Sequence, residues 1–136
     1  MEWSSSLATG IRQIDLQHQE LIGIINDLER ARSGAQWDEA VADVMPRLKA
    51  YVMFHFATEE SMMKEAGIPL HHFQSHEAEH RAFSGRIEEL GAQDDPRQYL
   101  AGFVEYLKTW LTHHIMKTDM ELARLLGRAQ ASLREN

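Results

Sequence analysis

Residues 48–63 read Leu-Lys-Ala-Tyr-Val-Met-Phe-His-Phe-Ala-Thr-Glu-Glu-Ser-Met-Met. Leu48, Val52, His55, Glu59 and Met62 recur at intervals of 4, 3, 4 and 3, the period of a single stripe along one helix face. In a helical bundle that stripe is the core. Here it carries an imidazole and a carboxylate where leucines are expected, and an unpartnered buried carboxylate is costly. This segment therefore predicts two things together: a long amphipathic helix, and something inside the bundle that the helix must bind.

The same period extends outward in both directions. In segment 15–32, Ile14, His18, Leu21, Ile25 and Leu28 are spaced 4, 3, 4, 3, and Ser33-Gly34 ends the run. The second helix is expected over 38–66, with Asp38 as N-cap, a kink or restart at Pro46, and Gly67 and Pro69 as terminators. Segment 70–90 carries Phe73, His76, His80, Phe83, Ile87 and Leu90 at intervals 3, 4, 3, 4, 3, closed by Gly91 and Asp94-Asp95. The fourth helix opens with Asp95 as N-cap and Pro96 at its first position, and Leu100, Phe103, Leu107, Trp110 and His114 follow at 3, 4, 3, 4. It reaches at least Ile115. Beyond Asp119, Leu122, Leu125, Leu126 and Leu133 suggest a short extra helix around Gly127 and a frayed end. There is no alternating Val/Ile/Thr run and no internal repeat. The expected fold is all-α, an antiparallel up-down-up-down four-helix bundle with a short extra C-terminal helix. It forms one domain over 1–136: an N-terminal arm (1–14), the bundle (15–119) and a C-terminal helix or tail (120–136).

Composition narrows the partners. The 136 residues suit one domain, 43% apolar content suffices for a core, and a formal charge of −7 disfavours nucleic acid and anionic membranes. Absence of cysteine excludes disulfides, thiolate metal sites and cysteine nucleophiles. The start, Met1-Glu2-Trp3-Ser4-Ser5-Ser6, shows neither a basic region nor an apolar stretch, and no apolar run approaches the roughly 20 residues of a membrane span. A cytoplasmic monomer is the default expectation.

His18, His55, His76, His80 and His114 thus lie on the seams of all four helices, with Glu59 beside His55 and Asp119 just past His114. Residues four apart share a helix face, so His55/Glu59 and His76/His80 each aim two ligands at one point. Imidazoles suit iron, zinc and copper, and carboxylates shift the choice toward iron or manganese. Glu59 and Asp119 can bridge a metal pair. Asp119 makes a specific demand: five residues on from His114 is about 140° around a regular helix, so the chain must end, loosen or bulge near Met116–Thr118. A single seam histidine is more often a hydrogen-bonded core residue than a ligand, but that reading fails for five with a glutamate among them. His71, His72 and His113 miss the seams and read first as surface residues, and second as partners behind the metal ligands. Trp3 and Trp37 read as covers over the bundle ends, and Met62-Met63 as core filler.

Two other patterns fit less well. His76-Glu77-Ala78-Glu79-His80 matches the H-E-x-x-H helix of zinc proteases, but leaves His18, His55, Glu59 and His114 unexplained, and no strand edge is expected. A ferritin-type di-iron site needs Glu-x-x-His on two helices; only Glu77-x-x-His80 fits, and Glu77 lies off the seam.

The chain resembles the hemerythrin family, in its bacterial form, over roughly residues 3–120. The resemblance rests on Ile14-Asp15-x-Gln17-His18-x-x-Leu21, His55-Phe56-x-x-Glu59-Glu60-x-Met62-Met63, His76-x-x-Glu79-His80-x-x-Phe83 and Trp110-Leu111-x-x-His114-Ile115-x-x-x-Asp119. The stretch from Pro69 to His76 is longer than the usual form. The resemblance implies two non-haem, oxo- or hydroxo-bridged iron ions. One would be held by His76, His80 and His114, the other by His18 and His55, with Glu59 and Asp119 bridging. Dioxygen would bind at the open position of the two-histidine iron, in a pocket lined by Leu21, Trp110, Leu111 and Ile115. The implied function is reversible dioxygen binding as carrier, store or sensor, with no catalytic residue. Alternatives on the same scaffold are a di-iron oxidase, peroxidase or nitric-oxide-handling enzyme, or a sensing module with a redox or signalling partner.

Overall fold

A computed structural model describes the backbone of residues 1–91 and 96–135 and the side chains of 1–89 and 97–130. The expected caps Asp94 and Asp95 and the seam side chains of Leu90 and Leu133 lie outside the described residues. A short 3₁₀ turn, Ser5–Leu7, precedes α1 (Arg12–Arg32), α2 (Trp37–Ala66), α3 (Leu70–Gly91) and α4 (Pro96–His113). A π-helical segment, His114–Asp119, then runs directly into α5 (Met120–Glu135). The described residues contain helices and no strand, as the periodicity predicts.

Side-chain pairs fix the register. Between α1 and α2, Gln17 meets Thr58 and Asp27 meets Arg47. Between α2 and α3, Glu60 meets His80 and Lys49 meets Glu88. Phe83 stacks on Trp110 while Arg86 lies over Tyr106, and Glu29 of α1 pairs with Lys108 of α4. In each of the first three pairings one number rises as the other falls, and α4 meets α1 again through Glu29 and Lys108, so α1 to α4 form a closed antiparallel up-down-up-down ring.

Several element ends differ from expectation. α1 begins at Arg12, because the Asp15 carboxylate accepts hydrogen bonds from the Thr9 backbone N–H and hydroxyl and the Gly10 N–H, pinning the incoming chain. Gly10 supplies the positive φ of 86° which that turn needs. α2 starts at Trp37 after Gln36, with Asp38 inside the first turn rather than at the cap. There its charge, with that of Glu39, favours the helix N-terminus. Pro46 lies within α2 and does not restart it. Its ring is exposed, while Val41, Val44, Leu48 and Val52 anchor both sides in the core. α5 passes through Gly127 to Glu135, longer than the short helix expected.

The interior is layered. A large apolar cluster includes Leu21, Ile25, Leu28, Leu48, Phe83, Phe103 and Leu107. A smaller one joins Ile14, Met63, Ile68 and Leu122, flanked by Met62, Phe73, Leu125 and Leu126. Along the helices, the polar seam residues fall between these two layers, and α5 helps close the end of the bundle. No helix among the described residues is long and apolar enough to cross a membrane.

Candidate metal centre

The bundle register brings one polar layer together. α1 contributes His18, α2 His55 and Glu59, α3 His76 and His80, and the π-helix His114 and Asp119. None of the seven is more than 3% exposed. The π-helical segment meets the geometric demand set by Asp119. A helix with i→i+5 bonding returns to nearly the same direction after five residues, so Asp119 faces the same interior as His114. Their side chains approach to 3.3 Å.

The seven residues form two overlapping groups, Glu59/His76/His80/His114 and His18/His55/Glu59/Asp119, in each of which the possible ligand atoms lie within 4.8 Å of one another. The carboxylates span the groups. Asp119 Oδ1 lies 3.1 Å from His76 Nε2, and Asp119 Oδ2 lies 3.0 Å from His18 Nε2. Glu59 Oε1 lies 2.9 Å from His55 Nε2 and 3.5 Å from His80 Nε2. Despite this proximity, the Nε2 atoms of all five histidines and all four carboxylate oxygens have no hydrogen-bond partner. Buried polar atoms are almost always satisfied. Nine such atoms converging on one interior layer fit a cation-binding cage, and a nitrogen-and-oxygen donor set suits iron, manganese or zinc.

The electrostatics agree. Burial pushes the Glu59 carboxyl up, but Asp119, His55, His76 and His80 hold it well below the usual range. Asp119 is likewise held low, against its burial and the adjacent Glu59, by His114 and His18. Burial opposes charge on His76 and His114, yet Asp119 and Glu59 raise His76 to about 9, and Asp119, Glu79 and Glu59 raise His114 to about 10. At His80 burial wins and the pKa falls.

The outward ring nitrogens are mostly occupied. His55 Nδ1 lies 2.7 Å from Gln17 Oε1, and Gln17 in turn donates to Thr58. His80 Nδ1 faces Glu60 at 3.3 Å, and His114 Nδ1 faces Glu79 at 3.4 Å. Thr118 donates to both oxygens of Glu79. These contacts leave Nε2 as the inward atom. Helical period assigns Gln17, Glu60 and Glu79 no role; their places within the motifs that carry the family resemblance were the available signal.

His72 is a correction. Expected at the surface, it is buried, and its Nε2 lies 3.1 Å from His76 Nδ1. α3 already begins at Leu70, so His72 sits one turn before His76 on the same face. Starting the stripe at Phe73 hid that spacing. His71 and His113 are exposed, as expected. Aromatic packing also went unread: Phe56 stacks on His80 at 3.8 Å, and Trp110 on His114 at 4.4 Å. Of the four expected pocket residues, Leu21, Leu111 and Ile115 are fully buried. Trp110 is half-buried and reaches a groove between α3 and α4.

The family model described as Hemerythrin HHE cation binding domain matches residues 9–126. The chain belongs to the hemerythrin family. It is 35% identical over 121 residues to a bacteriohemerythrin of Pseudomonas aeruginosa strain PAO1, covering 86% of this chain and 75% of that protein. A Stenotrophomonas maltophilia bacteriohemerythrin is 33% identical over 122 residues, covering 89% and 78%. One from Clostridium acetobutylicum is 27% identical over 125 residues, covering 88% and 95%. A hemerythrin domain with this histidine and carboxylate cluster is suited to a metal site, and in hemerythrins that site is typically di-iron.

Proposed function

We propose that this hemerythrin-family protein is a non-haem di-iron protein that binds dioxygen reversibly, as a carrier, store or sensor. The observation that carries the reading is the pair of overlapping groups sharing Glu59, whose inward atoms have no hydrogen-bond partner. His76, His80 and His114 would hold one iron, His18 and His55 the other, and Glu59 and Asp119 would join them. When bound, the two irons supply one electron each to dioxygen and take them back on release.

The protein's own contribution is to hold and to exclude. The helices fix seven side chains in one layer, and outward contacts on four of the five imidazoles turn Nε2 inward. Leu21, Leu111 and Ile115, one turn from or next to His18 and His114, supply an apolar wall that admits dioxygen and limits water. The relatives named bacteriohemerythrin support the same reading. Reduced protein is expected to contain two irons per chain, to gain a ligand-to-metal absorption band in air, and to lose it on purging with nitrogen. Iron uptake with no reversible band would discard the carrier role. Sustained consumption of peroxide or nitric oxide with a reductant would favour the enzymatic alternative.

A further inference from the structure

The five imidazoles are not backed alike. Behind the three-histidine group stand two carboxylates, Glu60 on His80 and Glu79 on His114, with His72 on His76. Behind the two-histidine group stands one neutral amide, Gln17 on His55, while His18 Nδ1 has no partner. An N–H donated to a carboxylate makes an imidazole a better electron donor than one donated to an amide. Glu79 does more than accept: Thr118 bonds both its oxygens, so one side chain ties α3 to the π-helix that carries His114 and Asp119.

We propose that Glu60 and Glu79 are positioning residues that grade the two metal positions, so that the His76/His80/His114 position fills first and empties last, and the His18/His55 position fills last. The proposal rests on reading the cluster as a two-metal centre. It separates the stable member of the pair from the exchangeable one. The exchangeable position is the one whose imidazoles have only neutral support or none.

The test is a titration of the full chain, stripped of metal, with cobalt(II) under argon, followed by visible absorption. Wild type should bind in two steps, and His18→Ala should delete only the weaker. The double variant Glu60→Gln/Glu79→Gln keeps an acceptor but removes the charge, giving these histidines the kind of partner His55 already has. Outer-shell losses of this type cost about 10- to 100-fold in affinity. The contacts are long, at 3.3 and 3.4 Å, and the carboxylates are 25% and 41% exposed, so the lower end is expected. The tighter step should weaken about tenfold while the other moves by less than about threefold. Equal weakening of both steps, loss of the tighter step in His18→Ala, or a single undivided step would overturn the grading. Glu60→Gln alone gives the same discrimination, with a smaller shift, if the double variant loses helicity by circular dichroism. No cobalt uptake by wild type would refute the two-metal reading itself.

Discussion

Glu59 and Asp119 are the side chains on which the centre turns, since each faces histidines of both groups. The proposed ligands nevertheless have separable consequences. His18→Ala or His55→Ala should lower the iron count toward one per chain, whereas His113→Ala, altering an exposed residue, should leave it unchanged. Metal analysis of the three purified variants decides this, and equal counts in all would contradict the assignment. Leu111 is 1% exposed within the large apolar cluster. Leu111→Ala should destabilise the fold by about 2–5 kcal/mol through lost burial and a cavity, and should hasten autoxidation by admitting water beside the site. Denaturant titration and the decay of the oxygenated band measure the two effects; an unaltered decay would remove Leu111 from the pocket wall. At this scale the seam histidines were legible because helical period alone puts them inside. His72 was not, because its burial depends on where α3 starts.

At the scale of the element, the π-helix is the decisive feature. In a regular α-helix, position 118 would face the interior with His114, and Asp119 would not. The double variant Thr118→Asp/Asp119→Thr keeps composition and charge but moves the carboxylate to the α-helical register. It should bind metal much more weakly than wild type, judged by iron retained through dialysis against a mild chelator. Retention equal to wild type would show that residues 114–119 are α-helical in solution. The sequence could state the demand, since five residues are wrong for an α-helix. It could not choose between an end, a loosened turn and a bulge, because that depends on what holds the segment. Thr118 and Glu79, 39 residues apart, provide that hold. Pro46 shows the opposite case: local chemistry argued for a kink or a restart, and with core anchors on both sides α2 runs through it without a restart.

For the whole molecule, the metal and the fold are coupled, because a buried layer of uncompensated donors costs stability until a cation fills it. Metal-free protein should melt lower than the iron-loaded form. Its pH dependence follows from two raised histidines. His76 and His114, at about 9 and about 10 against an ordinary 6.5, bind more protons folded than unfolded. Their stabilising contribution is complete below about 6.5 and is lost as pH rises through 9 and 10. Urea midpoints of the stripped protein should therefore fall across that alkaline window, while the loaded protein, whose metal replaces those protons, should show no such fall. A flat profile for the stripped form would count against charged imidazoles in the layer. The all-α bundle, the helix order and six of the seven inward side chains, all but Asp119, were determined by the sequence itself, because a 3.6-residue period fixes which face each residue shares and burial follows the face. The grouping of those side chains into two sets, the π-turn that brings Asp119 round, and the partners behind each imidazole were decided only by tertiary structure. They depend on the register between helices, set by contacts among residues far apart in the chain, and no local period encodes it.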